Sequence, residues 1–150
     1  MRFENPPPEP LASAVGFLLT WNGQRMAMRF AAALEPLGIR PPHFGILSII
    51  ESDPGVTQRE LVGRVMIDPS SMVALLDSLE EMGLAERREN PDDRRKHAVH
   101  LTSNGTRTLG RARTVANELA DEIFGPLDPA ERETLRLLLR KVAGIEPEAG

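Results

Sequence analysis

Between Asn90 and Lys96 the chain reads NPDDRRK, which places two carboxylates (Asp92, Asp93) and three cations (Arg94, Arg95, Lys96) in five consecutive positions. Charges of both signs at that spacing suit the capture of an anion. Asp93 and Arg95 are two residues apart, so the carboxylate can hold the guanidinium in one orientation while Arg94 and Lys96 meet phosphate oxygens. The plainer alternative is a surface ion pair that stiffens a turn. Upstream, Gln58 and Arg59 follow Thr57, and Ser70, Ser71 and Val73 follow Asp68-Pro69. The side chains and first amides at such helix starts attract phosphate; the plainer alternative for the two serines is a role as first-turn capping residues.

Other chemistries find little support. The sequence has no nucleophile elbow, phosphate loop or dinucleotide fingerprint, so no catalytic residues are expected. His97 and His100, three apart on an expected strand, point to opposite faces and make poor joint metal ligands. Cysteine is absent, which excludes disulfides, thiolate metal sites and thiol redox switches. No metal and no cofactor are expected. No run of about 18 apolar residues is present and the N-terminal stretch lacks the features of a signal peptide, so the expectation is a cytoplasmic protein with no membrane partner.

Net charge is -4 over 150 residues, but it is unevenly spread. From Arg87 to Arg113 eight basic residues face three acids, giving +5 there and -9 elsewhere. Positive charge is thus concentrated where a polyanion would be met.

These groups must be positioned by the elements around them. Residues 1–10 hold four prolines and no apolar periodicity, so a flexible Pro-rich arm is expected, with no helix before Leu11. Residues 11–150 are expected to form one domain. Leu11, Val15, Leu18, Leu19, Met26, Phe30, Ala33, Leu34 and Leu37 recur at spacings near three and four, as on one face of a long helix ending near Gly38. Trp21 and Met28 lie off that stripe. After Arg40-Pro41-Pro42 an apolar helix is expected from about His43 to Ser52, with Phe44, Ile46, Leu47, Ile49 and Ile50 making it central. Thr57-Gln58-Arg59-Glu60 matches a capping box. Asp68-Pro69 then starts a second short helix that ends at Gly83, and two helices so closely joined must cross at a large angle. Leu84–Asn90 and Lys96–Leu101 alternate apolar and polar residues around a Pro-Asp-Asp-Arg turn, as a hairpin does. Thr102 caps a helix to about Ile123, Gly125-Pro126 breaks it, and Asp128 caps a last helix to about Ala143.

Two short crossed helices followed by a hairpin describe a winged helix-turn-helix. The expected fold is mainly α (α+β), with about six helices and a two-stranded β wing. Its chemistry points to double-stranded DNA: the start of the second helix, with Ser70, Ser71 and Val73, would meet base edges, and Gln58 and Arg59 would lie near phosphates. That second helix carries no positive charge from Asp68 to Gly83, so base reading by a bidentate arginine is excluded and affinity should rest on the wing. A winged helix whose acidic second helix binds a protein instead remains open.

The fragments GVTQREL (55–61), DPSS (68–71), Leu79-Glu80, Gly83-Leu84 and NPDDRR (90–95), in this order and spacing, resemble the multiple-antibiotic-resistance regulator (MarR) family. The resemblance implies a homodimer built by residues 11–38 and 102–144, carrying two DNA-binding lobes over 41–101. It further implies a pseudo-palindromic operator, repression, and an arginine at the position of Arg95, oriented by Asp93, entering the minor groove. A small effector, aromatic or phenolic, is also implied, bound between the dimerisation helices and the lobe. Trp21, Met26, Phe30, His43 and Phe44 are the candidates to line its site; Met26, Phe30 and Phe44 fit an ordinary core better, which leaves Trp21, off the stripe, and His43 as the stronger candidates.

Overall fold

The computed structural model describes residues 5–65 and 67–146, with the side chains of Arg94 and Arg95 outside the description. Residues 1–4 of the expected arm therefore lie outside the described residues. The chain forms two compact units, one up to Ala116 and one from Asn117 onward.

The first unit opens on α1, Glu9–Ala12, followed by α2, Val15–Leu34. Contrary to expectation, a helical turn forms before Leu11, because Pro10 occupies a first-turn position where its missing N–H costs nothing. The expected long helix is also interrupted: Ser13 ends α1, and Ala14 is extended before α2 begins. At its far end Pro36 tightens the chain into a 3-10 turn, Glu35–Leu37, closed by Gly38 at φ 71°. Only Leu34 of α2 is buried, while Leu19 and Met28 stay exposed.

Helix α3, Pro41–Ser52, begins two residues earlier than expected, since both prolines fit its first turn. It supplies buried Ile46, Leu47 and Ile50 as the central helix of the core. Strand β1, Val56–Thr57, leads into α4, Gln58–Val65. Then come α5, Pro69–Glu81, and the hairpin strands β2, Ala85–Asn90, and β3, Asp93–Leu101.

The sheet has three strands in the order β1-β3-β2, all antiparallel, where two were expected. Val56 pairs with Val99 and Thr57 with Ala98. Two residues are too short to show an alternating pattern, which is why the sequence hides this strand. Val56, Val99 and Ala85 join Leu61, Met72, Leu76 and Leu79 in one core with α3.

The hairpin tip also differs from expectation. Asn90 pairs with Asp93, so only Pro91 and Asp92 lie in the turn, and the Asn90 side-chain oxygen accepts the Asp92 N–H at 3.0 Å. Glu89 pairs with His97, so the register jumps between Glu89 and Asn90, and positions 94 to 96 form the excess on β3. Asp93, Arg94 and Arg95 thus belong to the strand rather than to the turn.

Helix α6, Ser103–Ile123, starts against the base of the wing. The Thr102 N–H donates to the Leu84 carbonyl at 3.1 Å, and its hydroxyl donates to the Gly83 carbonyl at 2.6 Å while accepting the Gly105 N–H at 2.9 Å. Gly83, at φ 67°, supplies the left-handed residue that ends α5, and the Leu84 N–H returns to the Leu79 carbonyl.

In the second unit, α7 spans Pro129–Val142 behind a capping box in which Asp128 and Glu131 satisfy each other's backbone N–H. Arg132 pairs with Asp121 at 2.7 Å. No residue of α7 is buried, and Leu137, Leu138, Leu139 and Val142 are exposed. Among the described residues no helix is long and apolar enough to cross a membrane.

Candidate nucleic-acid interface

The helix-turn-helix is built by two local caps. The Glu60 carboxylate accepts the Thr57 N–H at 2.8 Å, and the Glu60 N–H donates to the Thr57 hydroxyl oxygen at 3.2 Å. The Thr57 N–H, together with the Thr57 hydroxyl that donates to the same carboxylate at 2.9 Å, holds the Glu60 carboxyl below its ordinary range. At the next start the Asp68 carboxylate accepts the Ser71 hydroxyl at 2.6 Å and the Ser71 N–H at 2.9 Å, which lowers its pKa as well.

The sign of the Asp68 effect fixes its pH dependence. A depressed folded pKa gives stability that is present above the ordinary carboxylate value and is lost as pH falls through the folded one. Asp68→Ala is therefore expected to melt below the parent at pH 7, and the gap should close as pH falls below the carboxylate range. A gap that persists in acid, followed by circular dichroism melts, would contradict the capping role.

Beyond the caps, α4, the start of α5 and the wing enclose a cleft of about 660 Å³ lined by Thr57, Gln58, Arg59, Glu60, Val62, Pro69, Asp93, Lys96 and His97. Four residues singled out from the sequence, Gln58, Arg59, Asp93 and Lys96, are thus brought to one place. Ser70, Ser71 and Val73 stand on the exposed side of α5. Ser71 donates its hydroxyl to the cap, so its sequence reading as a capping residue is realised. Gln58 is engaged more than expected, since its side-chain oxygen lies 3.4 Å from an Arg87 guanidinium nitrogen.

Arg87 is the residue that sequence reasoning missed. It lies between Ala85 and Glu89 on β2, paired with buried Val99, so its parity is that of the core face. From there the guanidinium reaches Glu80 at 2.6 Å and also Asp77, both on α5, while its own N–H donates to Glu80 at 2.9 Å. The side-chain bonds from Arg87 hold Glu80 below its ordinary range, and Glu80 in turn raises Arg87. Two of the acids that make α5 acidic therefore share one cation from the wing, which offsets one of their two negative charges. The signal in the sequence was an arginine at an inward strand position following acids three apart on the preceding helix. Other basic residues have partners too: Arg88 pairs with Glu86, Arg64 with Asp53 and Arg113 with Glu51.

The residues expected to line an effector site separate into groups. The Phe30 and Phe44 rings meet edge to face at 5.2 Å and pack against the core. His43 is buried, with Nδ1 accepting the Arg40 N–H at 3.1 Å and Nε2 lacking a partner among the described residues. Burial lowers its pKa, helped by Arg40, so the neutral ring is favoured with its proton on Nε2. Trp21 stacks on the Arg25 guanidinium at 5.6 Å. It lies nine residues before Phe30, about 13 Å along the helix axis. Met26 is half-buried. No cluster of three or more His, Cys, Asp or Glu able to hold a metal occurs among the described residues.

Two short crossed helices, a hairpin returning along a third strand, and a cleft lined mostly by charged and polar residues between them define a winged helix-turn-helix. A family model described as MarR family matches residues 37–96. A protein of Thauera aromatica, named for transcriptional regulation of the hcr operon, is 34% identical over 88% of this chain and 80% of its own. The transcriptional repressor CouR, solved bound to a 23-mer DNA duplex, is 30% identical with a TM-score of 0.83, covering 93% of this chain and 99% of that one. CouR from Rhodococcus jostii RHA1 bound to p-coumaroyl-CoA superposes with a TM-score of 0.78 at 28% identity, covering 93% and 98%. The chain belongs to the MarR family of winged-helix transcriptional regulators.

Proposed function

We propose that this regulator binds a pseudo-palindromic duplex operator as a homodimer and represses transcription until a small ligand releases it. The observation that carries the reading is the convergence of Gln58, Arg59, Asp93 and Lys96 on one cleft beside the exposed start of α5. In a two-fold dimer such helices fall about 34 Å apart, one turn of duplex. Arg94 and Lys96 neutralise phosphates, and Arg95, oriented by Asp93, enters a narrow A·T-rich minor groove. The apolar side chains left exposed support a dimer: Leu11, Leu19 and Val15 near the start of the chain, the last 81% exposed, and on α7 Leu137, Leu138 and Val142, the last 78% exposed. The protein acts in the cytoplasm and catalyses no reaction.

For the effector, the CouR complex with p-coumaroyl-CoA sets a precedent. The buried Nε2–H of His43 is a donor available to an oxygen of such a ligand, with Met26, Phe30 and Phe44 as apolar neighbours and Trp21 further along α2. A differential affinity of about 1–3 kcal/mol between DNA-competent and incompetent states is enough to switch the protein.

The test is titration of the full chain against the duplex upstream of its own coding region and against random duplex of equal length, at low salt. Binding to the upstream duplex well above random is expected, with Arg95→Ala weakening it about tenfold at unchanged melting temperature. Equal binding to both duplexes overturns operator recognition, and an unaltered affinity in Arg95→Ala overturns the minor-groove role.

A further inference from the structure

The outward stripe of α5 consists of Ser70, Val73, Ala74 and Asp77, at the i, i+3, i+4 and i+7 spacing that puts residues on one helix face, and all four are exposed. We infer that this face reads thymine methyl groups in the major groove, with Val73 as the specificity-determining residue. The inference rests on the DNA-binding reading above and adds to it the chemistry of the bases selected.

Each base demands particular donors and acceptors. Guanine is read by a bidentate arginine or lysine, and α5 contains neither. Adenine is read by a bidentate asparagine or glutamine, and α5 contains neither of these. Cytosine is read by a carboxylate accepting from its amino group, but Asp77, the carboxylate of the stripe, is bound by Arg87. The hydroxyl proton of Ser71 is donated to Asp68, and the Ser70 hydroxyl, as donor or acceptor, discriminates poorly between bases. What the stripe offers at its centre is the isopropyl group of Val73, 40% exposed, beside the Ala74 methyl. In the major groove the one apolar feature of a base pair is the C5-methyl of thymine. Arg87 also weakens the main electrostatic objection, because its guanidinium offsets one of the two negative charges of Asp77 and Glu80 before α5 approaches phosphate.

Deoxyuridine tests this directly, since it pairs as thymine does and lacks only the methyl. Duplexes are enriched from a random pool with the full chain at low salt, and each thymine of the enriched site is then replaced in turn. Burying one methyl is worth about fourfold in affinity. Replacement of one thymine per half-site is expected to weaken binding about fourfold each, and in Val73→Ala the same replacement should have little further effect. Val73 is exposed, so that variant should melt with the parent. Enrichment of a site whose thymines all tolerate uracil, or whose uracil effect survives in Val73→Ala, overturns the inference while leaving DNA binding intact. Failure to enrich any sequence overturns the DNA-binding reading itself.

Discussion

Gly105→Ala is expected to destabilise the protein by about 3 kcal/mol, against the trend that alanine favours a helix interior by roughly 1 kcal/mol over glycine. The cause is a close approach of backbone. A Cβ built on Gly105 would lie 1.8 Å from the Leu84 carbonyl oxygen and 2.8 Å from its carbon. Neither atom belongs to a flexible side chain, so α6 or the α5–β2 connection must move. That carbonyl accepts the Thr102 N–H, and the Thr102 hydroxyl accepts the Gly105 N–H, so the shift breaks the joint that seats the wing on α6. At Gly110 in the same helix an added methyl would meet nothing within 4 Å. Gly110→Ala should therefore be neutral or mildly stabilising. Urea titrations of both variants check the pair, and equal behaviour of the two would contradict the steric cause.

Arg87→Met is the second large effect. The substitution keeps the stem and removes the guanidinium, leaving Asp77 and Glu80 beside each other without their cation. Exposed ion pairs contribute up to about 1 kcal/mol, while breaking a buried one costs about 3–5 kcal/mol. The Arg87 side chain is 22% exposed, Glu80 34% and Asp77 54%, which places the expected loss between these limits, at about 2 kcal/mol. For a chain of this length that corresponds to a drop of roughly 6 °C in melting temperature. Glu80 is held below its ordinary range, so this stability is present above that range and is lost as pH falls through the folded value. The gap between parent and Arg87→Met should accordingly narrow in acid. Glu80→Gln combined with Arg87→Met should cost less than the sum of the two single changes, whereas additivity would mean that the clamp is not a unit.

These two positions mark the boundary of what the sequence discloses. The caps at Thr57–Glu60, Asp68–Ser71 and Asp128–Glu131 were legible because each is closed by residues three apart, and the observed bonds are those the spacing predicts. The helix order and the hairpin were legible for the same local reason. Tertiary partners decide the rest. Strand β1 is two residues long and exists because Val99 and Ala98 of β3 lie alongside it. The tip residues Asp93 to Arg95 join β3 because Asn90 pairs with Asp93, which no local preference distinguishes from a four-residue turn. The role of Arg87 needs α4, α5 and β2 to meet. Within the candidate site, the sequence supplied the residue types of the cleft, and folding supplied the proximity of positions 57–62 to positions 93–97.

Most of the binding energy is expected in the wing, because α5 brings no cation to the duplex. The salt dependence of operator affinity tests this most directly, since each phosphate neutralised contributes about 0.9 to the slope of log K against log salt. A steep slope is predicted for the parent, and one shallower by about 4 per dimer when Arg94, Arg95 and Lys96 are all changed to alanine. A slope and affinity that match the parent in that triple variant would contradict a wing-centred interface.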